Sequence, residues 1–103
     1  MMIEIRQTET FAAWLRALRD RQAKARIQVR IDRLQLGLSG DAKPVGGGVS
    51  ELRIDYGPGY RVYFMRRGRE CTVLLAGGDK RTQGRDIRKA IQLACNLRED
   101  RHG

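Results

Sequence analysis

Short segments of alternating apolar and polar residues follow one another between positions 49 and 77, and turns that contain glycine separate them. The turns are Tyr56-Gly-Pro-Gly59 and Arg67-Gly-Arg69. Alternation with a period of two indicates strands, and short links that contain glycine favour antiparallel hairpins. The pattern therefore predicts an antiparallel meander of three strands, over Val49–Asp55, Gly59–Arg66 and Glu70–Gly77.

Helical periodicity precedes the meander. One apolar face, which Thr8 can cap, spans residues 11–18, and a second spans residues 23–34 after a break at Asp20-Arg21. Gly37 ends the second helix, so the two helices form a hairpin. Their apolar positions are Phe11, Trp14, Leu15 and Leu18, then Ala23, Ile27, Ile31 and Leu34.

Three further segments complete the order of elements. Ile3 and Ile5 alternate with charged residues and predict a short first strand, whereas the glycine-rich stretch from Gly37 to Gly48 predicts a loop. Thr82 can cap a last helix, whose apolar stripe is Ile87, Ala90, Ile91 and Ala94. The chain is thus predicted to be one α+β domain over residues 1–103, of order β-αα-βββ-α, with helices packed on the sheet.

The chain carries 21 Lys and Arg against 12 Asp and Glu, a net charge of +9, and both halves share the excess. A hydrophobic content of 41% supports a folded core, so the charge belongs to a folded surface and not to a disordered tail. Such a surface suits nucleic acid, an anionic membrane or an acidic protein. Because the apolar runs are too short to span a bilayer and the first residues lack a signal peptide, we expect a cytoplasmic protein.

The sequence does not support several common kinds of catalytic site. Cys71 and Cys95 form no CxxC pair and have no nearby His, so they predict no metal site. The pair Gly77-Gly78 fits neither a Walker loop nor a dinucleotide fingerprint, and we expect no cofactor. The sole histidine, His102, lies near the last residue, which argues against a histidine-based triad.

The alternation in the meander also predicts where its side chains point. If Leu52 and Val62 face each other in the core, Arg53 lies directly opposite Arg61 on the other face of the sheet. Tyr63 then shares that face with the two arginines.

Two arginines placed directly opposite each other repel and lower the stability of a sheet. Two interpretations are open. In the first, an anion binds between the arginines and removes the conflict. In the second, Glu51 and Asp55 on the same face neutralise them as a lattice of surface salt bridges.

More basic residues can converge on this face. Lys43 lies in the loop before the meander, and Lys80 and Arg81 lie between the last strand and the last helix. A helix N-terminus offers free N–H groups and a favourable dipole to a phosphate. The segment from Gly77 to Arg81 is therefore a candidate phosphate site, although such a glycine pair more commonly serves to turn the chain.

Five motifs of the chain are Glu51-Leu-Arg53, Gly59-Tyr-Arg-Val-Tyr-Phe64, Leu74-Leu-Ala-Gly-Gly-Asp-Lys80, Thr82-Gln83, and Asp86-Ile87 with Ala90. Together they resemble the RelE/ParE superfamily of type II toxins, and most closely its HigB-like branch, the addiction module killer proteins. The resemblance covers essentially the whole chain and includes the helical hairpin before the sheet.

The resemblance implies a RelE-like fold and a small basic toxin that a cognate antitoxin holds inactive. RelE-like members are endoribonucleases (mRNA interferases) that cut mRNA in the ribosomal A site and so inhibit translation, whereas ParE-like members poison DNA gyrase. The implied partners are the ribosome, mRNA and a HigA-like antitoxin with a helix-turn-helix. Operator DNA is expected only through the antitoxin, and a membrane partner is not expected.

The resemblance also implies roles for particular basic residues. The Arg of Gly-Tyr-Arg is Arg61, which in RelE-type nucleases contacts the scissile phosphate, and the basic position on the preceding strand is Arg53. With Lys80 and Arg81 they form the predicted catalytic set. The predicted RNA-binding residues are Lys43, Tyr63, Arg66, Arg67, Arg69 and Arg30.

The chain departs from the RelE-type pattern at its acid and base. Asp86-Ile87 stand where the best-studied site has a Tyr, and the His residues of some HigB nucleases are missing. Lys80 or Lys43 is then the candidate base for a metal-independent attack by the ribose 2′-hydroxyl. Three functions stay open: an mRNA endonuclease, a gyrase poison, or an inactive toxin-like subunit that acts with its antitoxin as a repressor.

Overall fold

The meander forms the centre of a five-stranded sheet in the computed structural model, which describes residues 2–100. His102 lies outside the described residues. The strands are β1 (Glu4–Gln7), β2 (Ala42–Gly46), β3 (Val49–Ile54), β4 (Tyr60–Arg67) and β5 (Cys71–Asp79). The helices are α1 (Glu9–Ala17), α2 (Arg21–Gln35) and α3 (Gln83–Asp100), with a 3₁₀ turn at Lys80–Thr82 before α3. This order confirms the predicted α+β class and the RelE-like arrangement of its elements.

The strand order across the sheet is β1-β5-β4-β3-β2. Strands β2 to β5 pair antiparallel, and β1 pairs with β5 in parallel. The predicted register of β3 and β4 is confirmed, because Leu52 pairs with Val62 and Arg53 pairs with Arg61.

The stretch from Gly37 to Gly48 is not only a loop, as the composition predicted, because it contains β2. This strand lies at the edge of the sheet. Pro44 is tolerated there, because an edge strand needs backbone N–H donors on only one of its two sides. Gly46, Gly47 and Gly48 all have positive φ and reverse the chain into β3.

Capping residues define where the helices begin. Thr8 caps α1, since its hydroxyl accepts a hydrogen bond from the Phe11 N–H, and Asp20 caps α2. The prediction that Thr82 caps the last helix is wrong. Asp79 caps the 3₁₀ turn instead, and the Thr82 hydroxyl lies inside that turn, where it donates to the Asp86 carboxylate.

Helices cover both faces of the sheet, and each face has its own core. Helices α1 and α2 bury one face, with a core of Phe11, Ile27, Ile31, Leu34, Leu52, Ile54, Val62, Phe64 and Leu74. Helix α3 covers the other face, with a core of Val49, Tyr63, Met65, Val73, Leu75, Ala76, Ala90 and Ala94. The face that carries Arg53 and Arg61 is therefore not an open surface, because α3 buries its centre. None of the helices within residues 2–100 is both long enough and apolar enough to cross a membrane.

Candidate functional site

A polar cleft of about 610 Å³ lies at the end of the sheet where β3 stops and β4 begins. Strands β3 and β4, the turn between them, the 3₁₀ turn and Asp41, the residue before β2, supply its walls. We call it the cationic cleft, and its lining residues are Asp41, Arg53, Asp55, Gly57, Pro58, Gly59, Arg61 and Lys80.

Strand register explains why three basic residues meet in the cationic cleft. Arg53 and Arg61 are direct partners in the β3–β4 ladder, and Tyr60 pairs with Asp79, the residue before Lys80. Gly59 has φ of +83°, and a Cβ built on it would lie 3.5 Å from Nη1 of Arg61 and 3.6 Å from Cβ of Lys80. A residue without a side chain therefore separates the two basic groups and leaves them room.

Asp41 holds Arg53 in the cleft. Its Oδ1 accepts hydrogen bonds from Nη2 and Nε of Arg53 at 2.8 and 3.1 Å. The Arg53 side chain is 38% exposed, so its charge remains accessible to a ligand that competes with Asp41.

Glu51 pairs with Arg61 from the buried side of the cleft. The Glu51 side chain is fully buried, and its Oε1 lies 3.7 Å from Nε of Arg61, whose side chain is only 13% exposed. The second carboxylate oxygen accepts hydrogen bonds from Tyr63 and from Gln83, the first residue of α3.

Two carboxylates thus resolve the repulsion between Arg53 and Arg61 in the free protein. Pairing of Glu51 with Arg61 follows the salt-bridge interpretation, but the partner of Arg53 is Asp41 and not Asp55. Sequence reasoning missed Asp41 because it lies in the stretch predicted to be an irregular loop. The pairing of Ala42 with Leu52 brings that stretch beside β3.

Of the four predicted catalytic residues, Arg81 alone does not line the cationic cleft. Its side chain is 80% exposed and binds Asp79 at 3.1 Å. That hydrogen bond lowers the pKa of the Asp79 carboxyl and raises the pKa of Arg81. The Asp79 carboxylate also accepts from the Arg81 backbone N–H, so the anion position at this turn is already filled by the protein itself.

The glycine pair before Asp79 neither turns the chain nor forms a phosphate loop. Gly77 and Gly78 lie within β5. A Cβ on Gly77 would overlap the Trp14 ring, and a Cβ on Gly78 would overlap the Asp86 carboxylate. The pair is therefore required by close packing on both faces of the sheet.

The predicted RNA-binding residues are dispersed. Lys43 is exposed on β2 opposite Glu51 and does not line the cleft. The hairpin arginines at positions 66, 67 and 69 lie at or beyond the far end of β4. Because a strand rises about 3.3 Å per residue, they are on the order of 20 Å from Arg61.

Tyr63 and Arg30 are committed to internal contacts. Tyr63 is fully buried under α3, so its ring cannot stack on a base, and this burial, with Glu51 and Asp86 nearby, raises the pKa of its hydroxyl. The Arg30 guanidinium donates to the carbonyl oxygens of Ser39, Asp41 and Arg53, and burial lowers its pKa. Arg30 also lines a smaller groove beside the cleft, together with Arg26, Val29, Arg33, Ile54 and Asp55.

Comparison with known proteins identifies the family. Residues 13–99 match the family described as phage derived protein Gp49-like (DUF891). An uncharacterized protein of Haemophilus influenzae is 50% identical over 97 residues, which covers 94% of this chain and 98% of the relative. The chain therefore belongs to the Gp49-like family, a toxin-like family of RelE/HigB-like addiction module killer proteins.

Proposed function

We propose that this chain is the toxin of a type II toxin–antitoxin system and cleaves mRNA on the ribosome. Membership of a toxin-like family supports the general role. The observation that carries the nuclease assignment is the convergence of Arg53, Arg61 and Lys80 in one cleft. Guanidinium and ammonium groups are the side chains that bind phosphodiesters, and Arg does so with a planar fork.

Cleavage by the ribose 2′-hydroxyl suits this set of residues. The 2′-oxygen bonds to the adjacent phosphorus, the bond from phosphorus to the 5′-oxygen breaks, and the products are a 2′,3′-cyclic phosphate and a 5′-hydroxyl. Negative charge grows on the phosphate oxygens in the transition state, where Arg61 and Arg53 stabilise it. One preorganised donor of this kind typically contributes about 3 kcal/mol.

Two residues of the cleft can move the protons. Asp55 is exposed beside Arg53 and accepts the 2′-hydroxyl proton, and the Lys80 ammonium donates a proton to the leaving 5′-oxygen. Tyr63 is not available for this role, because it is fully buried and the pKa of its hydroxyl is raised. Lys43, the other candidate base, does not line the cleft.

An antitoxin is the expected partner of a toxin-like family. A chain with a net charge of +9 attracts an acidic segment, and such a segment seated on the cationic cleft would exclude RNA. A HigA-like partner with a helix-turn-helix would add operator binding to this inhibition.

Protein synthesis in a purified translation system tests the proposal. Primer extension should show cuts in translated mRNA that disappear when ribosomes are left out, and the downstream fragments should carry 5′-hydroxyl ends. A 2′-deoxy substitution at the cut position should abolish cleavage there.

Variants of the cleft connect the activity to the site. Arg53→Ala and Lys80→Ala should each lower the cleavage rate about 100-fold. The matched control Lys89→Ala removes the same charge from an exposed position on α3 and should cleave normally. Intact mRNA together with inhibited gyrase supercoiling would show a ParE-like poison instead, and no effect in either assay would support an inactive toxin-like subunit.

A further inference from the structure

Two buried polar atoms of the sheet have no hydrogen-bond partner: Oε1 of Glu51 and Nε of Arg61. They face each other at 3.7 Å, a distance at which the charges attract but no hydrogen bond forms. Burial of a carboxylate is costly unless a charge compensates it, and unsatisfied buried groups are rare in folded proteins. The two groups are therefore held together by charge and not by a direct hydrogen bond.

The Glu51 carboxylate is held rigidly although it never reaches the cleft. Tyr63 on β4 donates to Oε2 at 3.3 Å, and Gln83 on α3 donates to the same oxygen at 2.6 Å. Glu51 is thus fixed by two elements besides its own strand. It is absent from the lining of the cationic cleft and cannot touch a ligand there.

Arg61 connects this buried group to the cleft. Its Nε points at Glu51, and its Nη1 donates to the Tyr60 carbonyl oxygen at 3.3 Å. Its two terminal nitrogens lie beside Gly59 in the wall of the cleft. The inner edge of the guanidinium therefore meets a fixed negative charge, and the outer edge meets solvent.

We propose that Glu51 is a positioning residue, which aims the terminal nitrogens of Arg61 at an RNA phosphodiester in the cleft. The assignment rests on the proposed nuclease function. Because Glu51 attracts Nε from inside the sheet and the Tyr60 carbonyl oxygen accepts from Nη1, Arg61 cannot swing toward solvent, and its Nη2 stays available to the phosphate. Binding energy is then not spent on ordering the side chain.

The first test needs no RNA, and its first comparison is made within the wild-type protein. In a ¹⁵N–¹H spectrum of the free protein, the Arg61 Nε–H should exchange with water at least about tenfold more slowly than that of the exposed Arg81. In Glu51→Gln, which keeps the shape of the side chain but removes its charge, the Arg61 signal should shift and its exchange should accelerate about tenfold. Equal exchange of Arg61 and Arg81 in the wild type would overturn the proposal even if the variant failed to fold.

The second test measures cleavage. Glu51→Gln should lower kcat for translated mRNA about 10- to 100-fold and leave KM nearly unchanged, since an aimed donor acts mainly in the transition state. Glu51→Asp, which restores the charge, should recover part of kcat. Combining Glu51→Gln with Arg61→Lys should cost no more than Arg61→Lys alone, because the two residues act as one unit.

Two matched variants separate positioning from general effects. Glu9→Gln removes one negative charge from exposed α1, and Leu97→Ala loosens α3 at the end remote from Gln83. Both should keep the Arg61 exchange rate and kcat of the wild type. Full cleavage by folded Glu51→Gln would disprove the positioning role. Loss of cleavage in every variant and in the wild type would disprove the nuclease function, while the exchange data would still decide how Arg61 is held.

Discussion

Arg53 and Arg61 lie directly opposite each other on β3 and β4, yet each is bound by a different carboxylate. Arg53 pairs with Asp41, which is 55% exposed, whereas Arg61 pairs with Glu51, which is fully buried. An anion that enters the cleft can displace Asp41 into water but has no path to displace Glu51. The two arginines therefore differ: Arg53 can exchange its carboxylate partner for a ligand, whereas Arg61 keeps its partner.

Loss of the Arg61 side chain should destabilise the whole fold. Arg61→Ala leaves the buried Glu51 carboxylate without its counter-charge, which typically costs about 3–5 kcal/mol. The double variant Arg61→Ala/Glu51→Gln should regain much of that loss. Urea unfolding of the two variants measures the difference, and equal stability of both would show that Glu51 does not need Arg61. Loss of toxicity in Arg61→Ala alone is consequently a poor test of catalysis.

The glycine pair of β5 should tolerate no side chain. Gly77→Ala pushes a methyl group into the Trp14 ring and should cost about 1–3 kcal/mol or more. Gly84 in α3 is the matched control, because its position is helical and a Cβ there meets only the flexible Arg88. Gly84→Ala should be neutral or stabilise by up to about 1 kcal/mol. Thermal unfolding monitored by Trp14 fluorescence compares them, and a stable Gly77→Ala would contradict the packing argument.

The Asp79–Arg81 contact should give stability a measurable dependence on pH. Because Arg81 lowers the pKa of Asp79 in the folded state, the contact contributes stability above the unfolded pKa of about 4, and this is lost as pH falls through the folded pKa. Asp79→Asn keeps a capping side chain and should lose less than about 1 kcal/mol at pH 7.

Unfolding at a series of pH values checks this prediction. The gap between wild type and Asp79→Asn should narrow as the solution becomes more acidic than about pH 4. Arg81→Ala removes the same ion pair, so the difference in unfolding free energy between wild type and Arg81→Ala should also become smaller below about pH 4. A gap that stays constant with pH would rule out the charge as its source.

Replacing Arg30 should destabilise the protein much more than replacing Arg33, although both residues lie on α2 and line the same groove. Arg30 donates to three carbonyl oxygens of other segments, so Arg30→Ala should cost about 2–3 kcal/mol. Arg33 is exposed, and Arg33→Ala should change stability by less than about 0.5 kcal/mol. Denaturant unfolding provides the comparison, and equal losses would show that the Arg30 contacts are not structural.

Periodicity predicted the centre of the sheet because alternating apolar residues leave one register that buries them. It did not predict that α3 covers the second face. The signal was present in Val62–Met65, an uninterrupted apolar run that indicates a strand buried on both sides. Strand β2 was missed because proline and glycine hide an edge strand from any pattern of alternation.

The candidate site was predictable only in part. Arg53 and Arg61 follow from register, and Lys80 follows from its place after β5. The partners of the arginines do not follow, because Asp41 depends on an edge strand and the burial of Glu51 depends on α3. Side-chain contacts of Arg30 and Arg81 depend on rotamers, which no strand or helix pattern specifies.

The parallel pairing of β1 with β5 has a consequence for synthesis of the chain. Strand β1 pairs with residues 71–74, and Thr8, which follows β1, donates its hydroxyl to the Leu75 carbonyl oxygen 67 residues away. The first strand therefore has no partner strand until most of the chain has been made. Contacts this distant along the sequence form late and slow the folding of a small protein. Two residues that follow β5 complete the site: Lys80 lines the cleft, and Gln83 donates a hydrogen bond to the Glu51 carboxylate. On the proposed function, a ribosome that translates this toxin is therefore safe from it until the last elements emerge, which leaves the antitoxin time to meet the finished fold.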